Sequence, residues 1–184
     1  MTDIDKAARK RIAFFSVKDA AELGPETMSR EGMDSGVLAS LSRLADMKVR
    51  PGLGEMSVLL FKEPGEPGTG GGMSLVYLWF KSGYVLPPHS HNGDCLYYVI
   101  GGELRIGSQL LRKGDGMFVP ADCAYTYEAG PEGVEVLEFR NATQFSIQLK
   151  GNEGGRWDRV VAAFRARAAI WETESVPPSE RPGK

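Results

Sequence analysis

Cysteine and histidine are both scarce in this chain of 184 residues, which has two of each. Two thiols, Cys95 and Cys123, exclude a disulfide framework as the source of stability, and both read as free thiols of a reducing compartment. Long hydrophobic runs are missing as well. No apolar stretch approaches the ~20 residues that span a bilayer, and the opening Met1, Thr2, Asp3, Ile4 and Asp5 do not resemble a secretory leader. A cytoplasmic location with no membrane partner is therefore expected. Nor does charge of one sign dominate: 22 Lys+Arg stand against 24 Asp+Glu, a net charge of -2. That balance gives no electrostatic footprint for nucleic acid. Hydrophobic residues at 42% and charged residues at 25% match globular averages. One soluble domain with helical extensions, and one functional centre, is the expectation.

What the chain does have is punctuation. Its 23 glycines and 11 prolines gather between residues 51 and 155. There they separate short apolar runs at 56–61, 73–80, 96–100, 104–106, 116–119, 124–128, 134–139 and 144–149. Short runs rich in β-branched and aromatic residues between turn signals are strands, and many of them at close spacing predict an antiparallel sandwich or barrel. The stretch 63–72 is a flexible loop. Helical spacing appears at 3–15 and at 34–47, where Val37, Leu38, Leu41, Leu44 and Ala45 follow a capping Asp34-Ser35-Gly36. It returns near the end, where Trp157, Val160, Val161, Phe164, Ala168 and Trp171 form one stripe. The domain expectation is a helical N-terminal extension over 1–50, a barrel over 51–150, a C-terminal helix over 151–172 and a disordered tail over 173–184.

The histidines are the first chemical clue. His89 and His91 follow Pro87-Pro88 and are separated by one residue. On a strand, residues i and i+2 share a face, so both imidazoles project together. Two neutral imidazoles converging on one point suit a transition-metal ion; the plainer alternative is a pair bonded to backbone or water. No histidine is left over for a Ser-His-Asp arrangement, and no phosphate-binding glycine loop is present.

Gly83, five residues, His89-Ser90-His91 and then Tyr98-Val99-Ile100-Gly101-Gly102-Glu103-Leu104 resemble the first motif of the cupins. Gly114-Asp115, Pro120 and Ala121-Asp122-Cys123-Ala124-Tyr125 echo the second. The resemblance spans about residues 56–140. It implies an all-β, antiparallel jelly-roll barrel, framed here by N-terminal helices and a C-terminal helix. It also implies a metal held near the mouth by two histidines and a glutamate of motif one and a histidine of motif two, and frequently a homodimer. In this chain the glutamate position holds Cys95 and the second-motif histidine position holds Tyr125.

Each replacement has two readings. Cys95 is either a soft thiolate ligand or a small buried hydrophobe. Tyr125 suits substrate bonding better than ligation, because a phenol of pKa ~10 loses its proton only to a strong Lewis acid. By alternation Tyr97 and Tyr127 share the interior face, as catalytic phenols or as ordinary barrel packing. Asn92 and Asp94 read as turn formers. Cys123 belongs to the loop before Tyr125. Parity does not decide whether Glu138 and Arg140 face inward, and the solvent-exposed arrangement is the expectation.

The candidate metal ligands are thus His89, His91 and Cys95, holding a divalent iron, nickel, copper or zinc ion, and the candidate catalytic residues are Tyr97, Tyr125 and Tyr127. The first function expected is a mononuclear metal-dependent enzyme, oxygenase-like, acting on a small organic molecule. The second is a non-catalytic barrel that binds or senses a small ligand or metal. A metal-free isomerase or epimerase is a third.

Overall fold

The structure, a computed structural model, describes residues 12–48, 50, 52–65 and 71–181. The strands are β1 (Ala21–Glu22), β2 (Met28–Glu31), β3 (Glu55–Pro64), β4 (Gly72–Phe80), β5 (His89–His91), β6 (Cys95–Ile106), β7 (Gln109–Arg112), β8 (Gly116–Val119), β9 (Glu128–Arg140) and β10 (Phe145–Leu149). The helices are α1 (Ser35–Ala45) and α2 (Arg156–Thr173). A large antiparallel sheet runs β1-β3-β4-β9-β6-β7, with β8 also on β6, and a small sheet runs β2-β10-β5. One core joins the two: Val76, Leu78, Tyr97, Val99, Val134 and Val136 of the large sheet cluster with Phe145 of β10. The expected antiparallel jelly roll with a C-terminal helix is what the chain forms. Among the described residues no helix is long and apolar enough to cross a membrane.

Alternation builds the barrel wall. Along β6, Cys95, Tyr97 and Val99 are buried while Leu96 and Tyr98 are exposed, the period-2 pattern of a sheet with one face on the core. The strand bends where its pairing with β9 shifts, between Val99 and Gly101 and again between Gly102 and Leu104. Gly102 sits there at φ +69, and a Cβ on it would lie 2.1 Å from the Gly133 carbonyl oxygen. Only glycine fits so close an approach.

The C-terminal helix docks through two tryptophans at opposite ends. Trp157 and Trp171 are fully buried, and their indole N–H groups donate to the carbonyls of Lys150 at 2.7 Å and Ser82 at 2.8 Å. Each indole of about 200 Å² contributes about 5 kcal/mol of transfer free energy, and its one polar atom is satisfied. Phe164, on the same stripe, is half-buried against Tyr84 and Trp171.

Two expectations are corrected. Within 1–50, α1 forms as read, its Asp34 carboxylate accepting from the Val37 N–H at 2.8 Å, but where the segment before it is described it holds no α-helix, only a single 3-10 turn at Val17–Asp19. Residues 3–11 of the expected first helix lie outside the described residues, and 12–16 have no regular structure. Instead β1 extends the large sheet and β2 pairs in parallel with β10. The tail is the second correction. Pro178 is buried, and Ser179 donates from its backbone N–H and its hydroxyl to the Glu135 carboxylate at 2.5 and 2.8 Å. Glu135, 2% exposed, also accepts from the Tyr77 hydroxyl at 2.8 Å. A buried carboxylate requires donors, and the tail supplies two of the three.

Candidate functional site

Strand β5 carries both histidines into the barrel, and all three of its residues are buried. It is held on one side by β10, where His91 lies opposite Ile147 and His89 opposite Leu149, and on the other by a bridge from His89 to Tyr125. The backbone then sets the rings. His89 Nδ1 lies 2.8 Å from the Pro87 carbonyl oxygen, and His91 Nδ1 lies 2.8 Å from that of Ser146. A carbonyl only accepts, so each Nδ1 carries the proton and each Nε2 keeps its lone pair.

From His89 a hydrogen-bond chain runs across the interior. Tyr125 donates its hydroxyl proton to His89 Nε2 at 2.9 Å, and the Tyr97 hydroxyl bonds the Tyr125 oxygen in turn. Tyr97 pairs across the sheet with Glu138 of β9. Glu138 accepts from Arg140 Nη1, and both side chains of this ion pair are buried. The expected solvent-exposed arrangement of Glu138 and Arg140 is therefore overturned. They share the inward parity of Val134 and Val136, and each charge is desolvated against the other. The Arg140 guanidinium carbon lies 4.0 Å from the centre of the Phe145 ring, a cation–π contact that fixes its plane.

Burial governs the electrostatics. It pushes the His89 imidazole down to about 4, helped by the neighbouring His91. His91 is lowered by burial and then by the Arg140 charge. Burial and the Glu138 carboxylate push the Cys95 thiol up to about 12. Tyr97, Tyr125 and Tyr127 are all raised, chiefly by burial. Burial, the largest effect, would raise Glu138, but the Arg140 charge, His91 and hydrogen bonds from Arg140 and Tyr97 together outweigh it and hold the carboxylate ionised. At neutral pH the interior thus contains neutral imidazoles, phenols and thiol, and one ion pair.

Sequence reasoning brought His89, His91, Tyr97 and Tyr125 to one place, and the structure does the same. Tyr127 is buried in the same interior, its hydroxyl without a hydrogen-bond partner. Cys95 is buried too, its Sγ 3.7 Å from the Leu96 carbonyl and within hydrogen-bonding reach of Tyr97 and the Phe139 backbone. Asn92 and Asp94 do hold the loop: Asn92 Oδ1 accepts from the Ser146 N–H at 2.7 Å, and Asp94 Oδ1 from the Ala121 N–H at 2.8 Å. Cys123 is exposed.

The donor set does not fit the four-ligand metal centre that the resemblance implies. Two imidazoles are oriented as ligands are, each fixed through Nδ1. Two of the remaining donors are engaged: Glu138 is taken by Arg140, and Tyr125 occupies the lone pair of His89. Among the described residues no group of three His, Cys, Asp or Glu side chains is placed to hold a metal ion. Among the described residues, the cationic side chain buried in this interior is Arg140.

Compared with known proteins, the chain matches no family model and no curated protein. Solved structures similar to it include cupins. One is an RmlC-like cupin from Shewanella frigidimarina, 23% identical, covering 51% of this chain and 82% of that one with a TM-score of 0.40. Another is a cupin-like protein of unknown function from Ralstonia eutropha, 21% identical over 62% of this chain and 75% of that one, with a TM-score of 0.41. A third is KdgF from Halomonas sp., 22% identical over 48% and 79%, with a TM-score of 0.40.

Proposed function

We propose that this protein is a metal-independent barrel that binds a small organic molecule in its interior. The observation that carries this reading is the His89–Tyr125–Tyr97 chain lying beside the Glu138–Arg140 pair. A ligand there meets fixed, neutral hydrogen-bonding groups and one guanidinium. The same values argue against acid–base catalysis at neutral pH. An efficient general base titrates near the working pH, whereas His89 sits at about 4 and the phenols lie above their ordinary range. The array is a template for binding, pre-organised by backbone carbonyls, and not a proton-transfer engine.

A second reading is favoured by one observation: the Pro87 and Ser146 carbonyls hold both Nδ1 protons, so each Nε2 turns a lone pair inward, open on His91 and shared with the Tyr125 hydroxyl on His89. On that reading His89 and His91 hold a divalent transition metal and the barrel is an oxygenase-like enzyme. Metal analysis of untagged protein, with thermal-shift titration of iron(II), copper(II), nickel(II) and zinc(II), separates the two. A ligand at a hundred times its dissociation constant adds about 2.7 kcal/mol. The binding-barrel reading expects no stoichiometric metal and no such increment that depends on His91. Stoichiometric redox metal, lost with its stabilisation in His91→Ala, would overturn it.

A further inference from the structure

We infer that the ligand of this barrel carries a carboxylate, or a planar oxyanion like it, received by Arg140 through Nε and Nη2; this rests on the reading of the interior as a binding site. Arg140 has five N–H donors. Only Nη1 is engaged, by Glu138, while Nε and Nη2 are buried without a hydrogen-bond partner. Native interiors rarely leave a donor unsatisfied, and a charged one is the costliest to leave. The two orphaned nitrogens are also the pair that forms one edge of the guanidinium. Their N–H bonds run parallel at the spacing of two carboxylate oxygens, the geometry of a bidentate fork.

A second, independent orphan lies in the same interior. The Tyr127 hydroxyl is buried and unpartnered, and its ring is stacked beside that of Tyr125, 6.3 Å between centres. Each of the other polar groups in the array already has a bond: Tyr125 to His89, Tyr97 to Tyr125, and both Nδ1 atoms to carbonyls. What remains is a fork, one hydroxyl and the Nε2 lone pair of His91, and a small organic acid bearing a second oxygen satisfies the fork and the hydroxyl. Glu138 already balances the guanidinium charge, so the acid gains from directed bonds and not from net charge. A lysine at 140 would keep the charge and lose the fork. Phe145, stacked on the guanidinium, prevents the fork from turning away.

The test uses the full chain, stripped with a chelator, and acid–amide pairs as probes: acetate and acetamide, pyruvate and pyruvamide, benzoate and benzamide, read by thermal shift and calorimetry. At least one acid is expected to bind where its amide does not. Arg140→Lys should weaken that acid about 10- to 100-fold, the loss of a charge-assisted bidentate contact. An amide that binds as well as its acid, an Arg140→Lys variant that binds as the parent does, or no acid binding at all overturns the inference. Should Arg140→Lys fail to fold by circular dichroism, the acid–amide comparison on the parent still decides. Repeating the titration with zinc(II) present separates this inference from the reading beneath it. Acid binding that needs the metal but keeps its Arg140 dependence sinks the metal-independent barrel and leaves the fork standing.

Discussion

Acid should weaken this protein well before it denatures it, and His89 sets the amount. The side chain is 2% exposed, and burial, with His91 beside it, holds the imidazole at about 4; in the unfolded chain an imidazole titrates near ~6.5. A group whose folded pKa lies below its unfolded value takes up its proton more readily when unfolded, so protonation favours unfolding. The contribution of His89 is complete above pH ~6.5 and is lost as the pH falls toward 4, at about 1.4 kcal/mol per pH unit and about 3 kcal/mol in all. His91, lowered by burial and by Arg140, steepens the same limb. Glu138 acts further down. Its folded pKa is depressed, so its contribution is present above the unfolded carboxylate value of ~4.3 and disappears below it. Urea unfolding of the parent and of His89→Gln at intervals from pH 7 to about pH 4 measures this. The parent should lose stability steadily across the range. The variant, weaker at pH 7, should show a visibly shallower slope. A parent curve flat between pH 7 and about pH 4.5, or a variant with the parental slope, would refute the buried neutral imidazole.

Trp171→Phe keeps most of the apolar surface but leaves the Ser82 carbonyl without its donor; denaturant melts should show a loss of about 1–3 kcal/mol, and no loss would mean the indole bond contributes nothing. Ser179→Ala should release the tail, because Glu135 loses one of its donors, and limited proteolysis near residue 176 should quicken; unchanged cleavage would show that the remaining contacts suffice. With Ellman's reagent the folded protein should show one fast thiol, Cys123, and reveal Cys95 only in urea, since the latter is buried and its thiol is raised; two fast thiols would contradict the enclosed site. The outer face of the large sheet leaves Leu96, Tyr98, Phe118 and Phe139 about half exposed, in all about 400 Å² of apolar surface. A second copy is the proposed cover, so sedimentation should report a dimer that Phe118→Asp dissociates; a monomeric parent would rule it out.

The barrel was legible because glycine and proline mark its turns and alternation marks its faces. Cys95 and Tyr97 on β6 point inward and Leu96 and Tyr98 outward, a pattern local enough to read from neighbours. The His89–His91 pair was legible for the same reason. Glu138 and Arg140 were not. Burying two charges is disfavoured for either one alone, and what makes it tolerable is the partner two residues away together with the aromatic ring of Phe145, which arrives from β10. Strand β2 was invisible because Met28-Ser29-Arg30-Glu31 has no apolar alternation; it forms by pairing its backbone to β10. The tail looked structureless because a proline-rich stretch buries little, and its anchor, Glu135, lies more than forty positions earlier in the chain.

The place of β2 bears on how this protein tolerates shortening. Strand β10 is the middle of the small sheet, with β5 and its histidines on one side and β2 on the other. A chain trimmed to begin at α1 would keep every residue of the two cupin-like motifs and would still bare the β10 edge. An unpaired edge is a template on which another copy adds its own strand. Such a shortened protein is then exposed to runaway self-association rather than simple loss of fold, and a mostly polar four-residue strand that reaches the core through Met28 alone is what stands guard against it.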